Sequence, residues 1–340
     1  MTDVLICSYL EPALIGRIER LDPRLRVHSR PDLIPAPRYP ADHGGAPFTR
    51  APAQQAEWEA LLGQAEVLFD FDATSVARLP ELAPKVRWVQ ATSAGIGQFV
   101  RRHDYGRMNA VFTTASGVHA RPLAEYAIMS ILQVVKQAGL AARQQAEHRW
   151  ERFATTELSG ATLAVIGLGR IGLEVARLAR AFDMHVTGVK RNPAPAETLG
   201  VDRVYPWEEL HACLGEADFV VLACPHTPET ENLMDAAAFA AMKPGATLVN
   251  VARGAVVNED ALIFALNSGR LAHAALDVTA HEPLPPESPL WTLPGVSIYP
   301  HSASTNDREN ERLVDLFCDN LTRYLAGEPL RNVLDLQRMY

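Results

Sequence analysis

The run Gly167-Leu168-Gly169-Arg170-Ile171-Gly172 is the segment whose residue types and spacing point most directly to chemistry. It follows the apolar stretch Leu163 to Ile166 and opens the helical pattern Leu173 to Ala181. Gly167 permits a tight turn, Gly169 lets backbone approach a pyrophosphate, and Gly172 allows a helix to pack closely on a strand, while the N–H groups of the helix start face the anion. In a strand-to-helix setting this reads as a dinucleotide site; a glycine turn with no ligand is the plainer alternative. About twenty residues further on, an acidic side chain would hold the adenosine ribose of NAD. Here the strand His185 to Val189 runs into Lys190-Arg191-Asn192. Two cations there suit a 2′-phosphate and leave NAD without its carboxylate partner, so NADP is the preferred cofactor expected, with NAD admitted. A basic pair that merely faces solvent at a strand end is the alternative.

The elements that must position these residues follow from size and pattern. A chain of 340 residues suits two domains, and 48% hydrophobic against 21% charged residues is the balance of a packed globular protein. The net charge of -8 argues against general nucleic-acid binding, which draws on basic side chains. Cys7, Cys213, Cys224 and Cys318 are too scattered for a zinc spacing or a disulfide framework, so no metal is expected and a cytoplasmic setting fits. No stretch reaches membrane-spanning length, and the N-terminus lacks a basic run before its apolar residues, so neither export nor a membrane is expected.

Strands are expected at Val4 to Cys7, Val67 to Phe69, Val86 to Gln90 and Val111 to Thr113, with a helix at Leu14 to Leu21. Between them, residues 30–52 carry Pro31, Pro35, Pro37, Pro40, Pro47 and Pro52 and read as a long loop without assigned chemistry. A single long helical segment runs from Pro122 to about Ala146. A second series of strands then begins at Thr162 to Ile166 and continues through His185 to Val189, Phe219 to Ala223, Thr247 to Val251, Ala274 to Asp277 and Ser297 to Tyr299. The rhythm is α/β with parallel sheets.

With these pieces in order, the sequence resembles the D-isomer-specific 2-hydroxyacid dehydrogenase family, most closely its NADP-preferring, glyoxylate/hydroxypyruvate reductase-like members. The resemblance is carried by Thr92-Ser93-Ala94-Gly95-Ile96, Glu157-Leu158-Ser159-Gly160, the glycine turn, Met242-Lys243-Pro244-Gly245, Asn250-Val251-Ala252-Arg253-Gly254, Ala275-Leu276-Asp277-Val278, Glu282-Pro283-Leu284 and Pro300-His301. It implies an α/β fold of two doubly wound parallel-sheet domains. A Rossmann cofactor domain, residues 118–303, would be inserted into a flavodoxin-like substrate-binding domain, residues 1–117 and 304–340, with a cleft between them.

The same resemblance places the catalytic Arg, Glu and His at Arg253, Glu282 and His301. A guanidinium suits the carboxylate and carbonyl of a 2-keto acid, an imidazole can protonate the alkoxide left by hydride addition, and a carboxylate orients that imidazole. Arg170 and Ile171 would present backbone to the pyrophosphate, Cys224, Val251 and Ala252 would line the nicotinamide, and Asp277 would meet its carboxamide. Ser93, Ala94, Gly95 and Ile96 would receive the substrate carboxylate together with Arg253. The implied partner is a small 2-keto acid or D-2-hydroxy acid, and the implied assembly is a homodimer. The chain departs from the family's pattern at Lys190, at Gly97, where an acidic residue is common, and at Ser302-Ala303-Ser304. A catalytically idle nicotinamide-sensing scaffold or corepressor of the same fold is the competing reading, and the intact trio weighs against it.

Overall fold

The computed structural model describes residues 1–192 and 194–339. The chain divides into two compact units, Met1–His119 with Thr305–Tyr340, and Ala120–Ser304.

In the first unit, β1 (Thr2–Ile6), β2 (Leu25–His28), β3 (Val67–Phe69), β4 (Trp88–Gln90) and β5 (Val111–Thr113) form one parallel sheet in the order β2-β1-β3-β4-β5. That is the flavodoxin-like order. β3 and β4 are buried along their whole length, as expected for central parallel strands covered on both faces. The helix Glu309–Ala326 covers one face, setting Leu313, Val314, Phe317 and Leu321 against Val4, Phe69 and Trp88.

The Pro-rich segment is a loop, with one short 3-10 turn at Pro31–Leu33 and a helix, Pro52–Gln64, that begins at its last proline. It is fastened by side chains. Asp42 accepts from Arg38 Nε at 2.7 Å, from the Arg38 backbone at 3.0 Å and from the Gly45 backbone at 2.9 Å. Arg50 donates to the Leu33 carbonyl at 2.7 Å and to Thr74 at 2.6 Å, its guanidinium lying 4.5 Å from the Trp58 ring centre.

The second unit holds β6 (Thr162–Ile166), β7 (His185–Val189), β8 (Arg203–Tyr205), β9 (Phe219–Leu222), β10 (Ala246–Asn250), β11 (Leu271–Leu276) and β12 (Val296–Ile298). Their order is β12-β11-β10-β9-β6-β7-β8, the Rossmann arrangement with one additional edge strand. Every pairing in it is parallel.

Several expectations need correction. The helix expected from Pro122 to Ala146 is two helices, Ala120–Val135 and Ala138–Ala146. The break is at Gln137, whose φ is +51°, and the returning chain docks on it: Lys136 Nζ donates to the Thr156 carbonyl at 2.8 Å and Gln137 Nε2 to the Ala154 carbonyl. Pro122 sits inside the first turn rather than at its start, where its missing N–H still costs nothing. The short strands β2 and β8 were not anticipated, and β11 begins at Leu271 rather than Ala274. β9, β10 and β12 end one residue before the expected Ala223, Val251 and Tyr299. Among the described residues, no helix is long and apolar enough to cross a membrane.

Candidate active site

The glycine turn joins β6 to the helix Arg170–Arg180. Gly167 has a φ of +104°, and a Cβ there would lie 2.7 Å from the Cys224 backbone, so the turn and the end of β9 can meet only through glycine. A Cβ on Gly172 would stand 2.1 Å from the Gly167 carbonyl oxygen. Gly169, by contrast, would meet nothing within 4 Å. Open space therefore lies beside the start of an eleven-residue helix, whose first N–H groups have no intrahelical acceptor. This construction fits a pyrophosphate, with Arg170 and Ile171 as the first helical residues.

Lys190 follows β7 and donates from Nζ to the Leu168 carbonyl at 2.9 Å. It is thus held against the glycine turn rather than loose in solvent, and an ammonium has two further N–H groups to offer. Arg191 makes an exposed ion pair with Glu229 at 3.5 Å. Cys224 is buried beside the turn, and burial pushes its thiol up to about 12, so it offers packing and backbone rather than a thiolate.

The three trio residues come from three separate loops of the second unit. Arg253 follows β10. The Asn250 side chain fastens this turn, accepting from the Ala252 N–H at 3.0 Å and donating to the Arg253 carbonyl at 3.2 Å. Arg253 Nη1 donates to the Ala252 carbonyl at 2.7 Å. Burial lowers the guanidinium's pKa, opposed by the carboxylates of Glu282 and Asp277, which are near enough to act on it. Val251 and Ala252 beside it are buried.

Glu282 lies in the loop after β11. A Cβ on Gly254 would stand 1.9 Å from the Thr279 carbonyl oxygen, so the Arg253 turn approaches the Glu282 loop as closely as glycine allows. The loop is held from two sides. Glu282 Oε1 accepts from the Thr279 N–H at 3.1 Å, and Glu259 accepts from the Ala280 N–H at 2.7 Å.

His301 follows β12, and its Nδ1 is 2.8 Å from Glu282 Oε2. An ionised carboxylate only accepts, so Nδ1 carries the hydrogen on the Glu282 side, and Nε2 is the ring nitrogen this bond does not use. Burial pushes the Glu282 carboxyl up, but the hydrogen bond and charge of His301, the Thr279 N–H and Arg253 outweigh it, and the group ends below the ordinary carboxylate value. Glu282 is therefore anionic at neutral pH. The assembly presents a fixed cation, an anion and an imidazole oriented by that anion, which is the set needed to grip a carboxylate and deliver a proton.

In the first unit, Ser93 to Ile96 form the loop between β4 and the helix Gly97–Arg102, with Ser93 and Gly95 exposed and Ile96 buried. Thr92 Oγ1 donates to Asp70 at 2.9 Å, and the Ser93 carbonyl accepts from the Ala115 N–H at 3.0 Å. At Gly97 a Cβ would stand 2.1 Å from the Met339 carbonyl oxygen, so the packing here has room only for glycine. Sequence reasoning overlooked Asn250 and Glu259 as holders of the catalytic loops and quoted Gly254 only as part of a motif. Nothing in one sequence marks a side chain whose partner is a backbone N–H 21 residues away.

Comparison with known proteins follows the same lines. The family model for the NAD binding domain of D-isomer specific 2-hydroxyacid dehydrogenases matches residues 128–303. A glyoxylate reductase of Korarchaeum cryptofilum is 33% identical over 268 residues, covering 76% of this chain and 79% of that protein. A D-3-phosphoglycerate dehydrogenase of Mycobacterium bovis is 34% identical over 275 residues, 79% of this chain, and the chain spans only 51% of that protein's length. A solved D-isomer specific 2-hydroxyacid dehydrogenase of Xanthobacter autotrophicus, in complex with NADPH and MES, has a TM-score of 0.79 at 27% identity, covering 100% of this chain and 99% of that one.

Proposed function

The chain belongs to the D-isomer specific 2-hydroxyacid dehydrogenase family, and from that premise we propose that it works as an NADPH-preferring reductase of small 2-keto acids, giving D-2-hydroxy acids. The observation that carries this reading is the 2.8 Å hydrogen bond from His301 Nδ1 to Glu282, beside the half-buried Arg253. When bound, the nicotinamide supplies the hydride. The protein's own residues do the rest. Arg253 holds the substrate carboxylate and polarises the carbonyl. His301, protonated and steadied by Glu282, gives a proton from Nε2 to the oxygen that becomes the hydroxyl. Ser93 to Ile96, in the first unit, are assigned by the family resemblance to substrate binding.

The glycine turn would hold the cofactor's pyrophosphate, Lys190 and Arg191 its 2′-phosphate, and Val251, Ala252, Cys224 and Asp277 would line its nicotinamide end. Lys190 favours NADPH because its ammonium is already fastened at the turn. In this reading residues 118–303 form the cofactor domain, residues 1–117 and 304–340 form the substrate domain, and the active species is a homodimer. A nicotinamide sensor would have no use for an imidazole aligned by a carboxylate.

The test is turnover. Purified protein is mixed with NADPH and, in separate reactions, glyoxylate, hydroxypyruvate, pyruvate and phenylpyruvate, and the absorbance of the reduced cofactor is followed. Consumption with at least one keto acid, faster than with NADH, is expected. Tight NADPH binding without consumption across the panel overturns the reading in favour of a sensor.

A further inference from the structure

We propose that Asp277 is a positioning residue for His301: its buried carboxylate forms the floor on which the His301 turn is folded, a role separate from any contact with the cofactor. The proposal rests on the reading of His301 as the proton donor.

His301 has a φ of +52°, a left-handed backbone that a residue bearing a side chain rarely adopts. Something must hold it there. Three successive backbone N–H groups of the turn end on one residue: His301 donates to the Asp277 carbonyl at 2.9 Å, while Ser302 and Ala303 both donate to Asp277 Oδ1, each at 2.9 Å. Successive N–H groups around a left-handed residue form a concave nest for an anion, and here the anion is supplied by the protein itself.

The placement follows from the sheet. β11 and β12 pair in parallel with Leu276 opposite Ile298, so Asp277, one residue past β11, lies level with the chain as it leaves β12 towards the turn. Asp277 is only 3% exposed. Burial raises its carboxyl above the ordinary value even though the two N–H groups and His301 pull it back. A carboxylate kept in so unfavourable a place needs a function that an apolar residue could not perform. The turn is tied from its other side as well: His301 N–H also reaches the Tyr299 carbonyl at 3.0 Å, and the Tyr299 ring meets Tyr126 edge-on at 4.8 Å. The result is an imidazole whose backbone is fixed by Asp277 and whose ring is fixed by Glu282.

The experiment compares Asp277→Ala, which removes the floor, with Asp277→Asn, whose amide oxygen can still accept from both N–H groups. Two readouts are taken: amide hydrogen exchange across 299–305 in the cofactor-free protein, and kcat set against the NADPH Kd. Asp277→Ala is expected to speed exchange at 301–303 and to cut kcat by about 100-fold, the scale of a reacting group misplaced by an ångström, with a much smaller change in Kd. Asp277→Asn is expected to restore slow exchange at 301–303 and to raise kcat well above that of Asp277→Ala. Wild-type exchange and kcat in the alanine variant overturn the proposal, and so does a loss confined to NADPH affinity. If the alanine variant folds poorly, Asp277→Ser, too short to reach both amides, takes its place. His301→Ala is run beside them. Near-normal turnover there defeats the proton-donor reading itself, whereas an inactive His301→Ala beside a fully active Asp277→Ala defeats only this one.

Discussion

Two turns at the carboxyl end of the second sheet solve opposite problems. The glycine turn after β6 works through what its residues lack: no Cβ at Gly167 or Gly172, and open space at Gly169. The His301 turn after β12 works through a side chain, and its left-handed backbone is stabilised by residues far away in sequence. In the proposed function, one turn binds with backbone and the other acts with an imidazole. Damage to each should therefore separate binding from catalysis.

The largest expected effect is on the loops that carry Arg253, Glu282 and His301. Gly254→Ala would force the Arg253 turn away from the Thr279 backbone, 1.9 Å from the new methyl group. Steady-state kinetics should show kcat falling by about 100-fold with NADPH binding largely kept. Gly172→Ala is the mirror case, since its methyl would press on the Gly167 carbonyl. Fluorescence titration should show NADPH affinity reduced by at least about tenfold, the equivalent of an overpacking cost of 1–3 kcal/mol. If both variants lose binding and turnover alike, the glycine turn and the loops of the trio do not divide the work in this way.

A smaller change sharpens the comparison from within the glycine turn. Reversing Lys190 and Arg191 to Asp should leave the turn's backbone in place and move preference from NADPH towards NADH, by about tenfold or more in the ratio of kcat/KM values. An unchanged ratio removes both cations from the phosphate site.

The smallest effect lies outside both turns, in the Pro-rich loop of the first unit. The Arg38 side chain, with the backbone N–H groups of Arg38 and Gly45, holds the Asp42 carboxyl below the ordinary carboxylate range against the opposing pull of burial. A depressed carboxyl stabilises the fold above its unfolded value of about 3.9, and that contribution is lost as pH falls through the lower folded value. Asp42→Asn should lower Tm at pH 7 by about 3–6 °C, with the gap from wild type closing as the pH drops below about 3. A gap that persists in acid would show that the carboxylate's charge is not what holds the loop.

The same contrast explains what could be read from the sequence. β3, β5, β6 and β7 matched expectation residue for residue; β3 is a wholly buried apolar run and β6 becomes one after its first residue. The glycine turn was legible because its glycine spacing stands in one continuous segment of sequence. The break at Gln137 was not, since its stabilising partners, the carbonyls of Ala154 and Thr156, lie on chain that returns from elsewhere. β2 and β8 are short edge strands with little apolar signal. Arg253, Glu282 and His301 were placed by family resemblance alone; the fastening of their loops by Asn250, Glu259 and Asp277 became visible only in three dimensions.

The central claim is that the imidazole at position 301 delivers the proton that completes reduction. His301→Ala, assayed at pH 7 with NADPH and whichever keto acid the wild-type protein turns over fastest, tests it most directly. A fall in kcat of about two orders of magnitude or more, with NADPH Kd unchanged, is the result predicted. Turnover within a few-fold of wild type would contradict it.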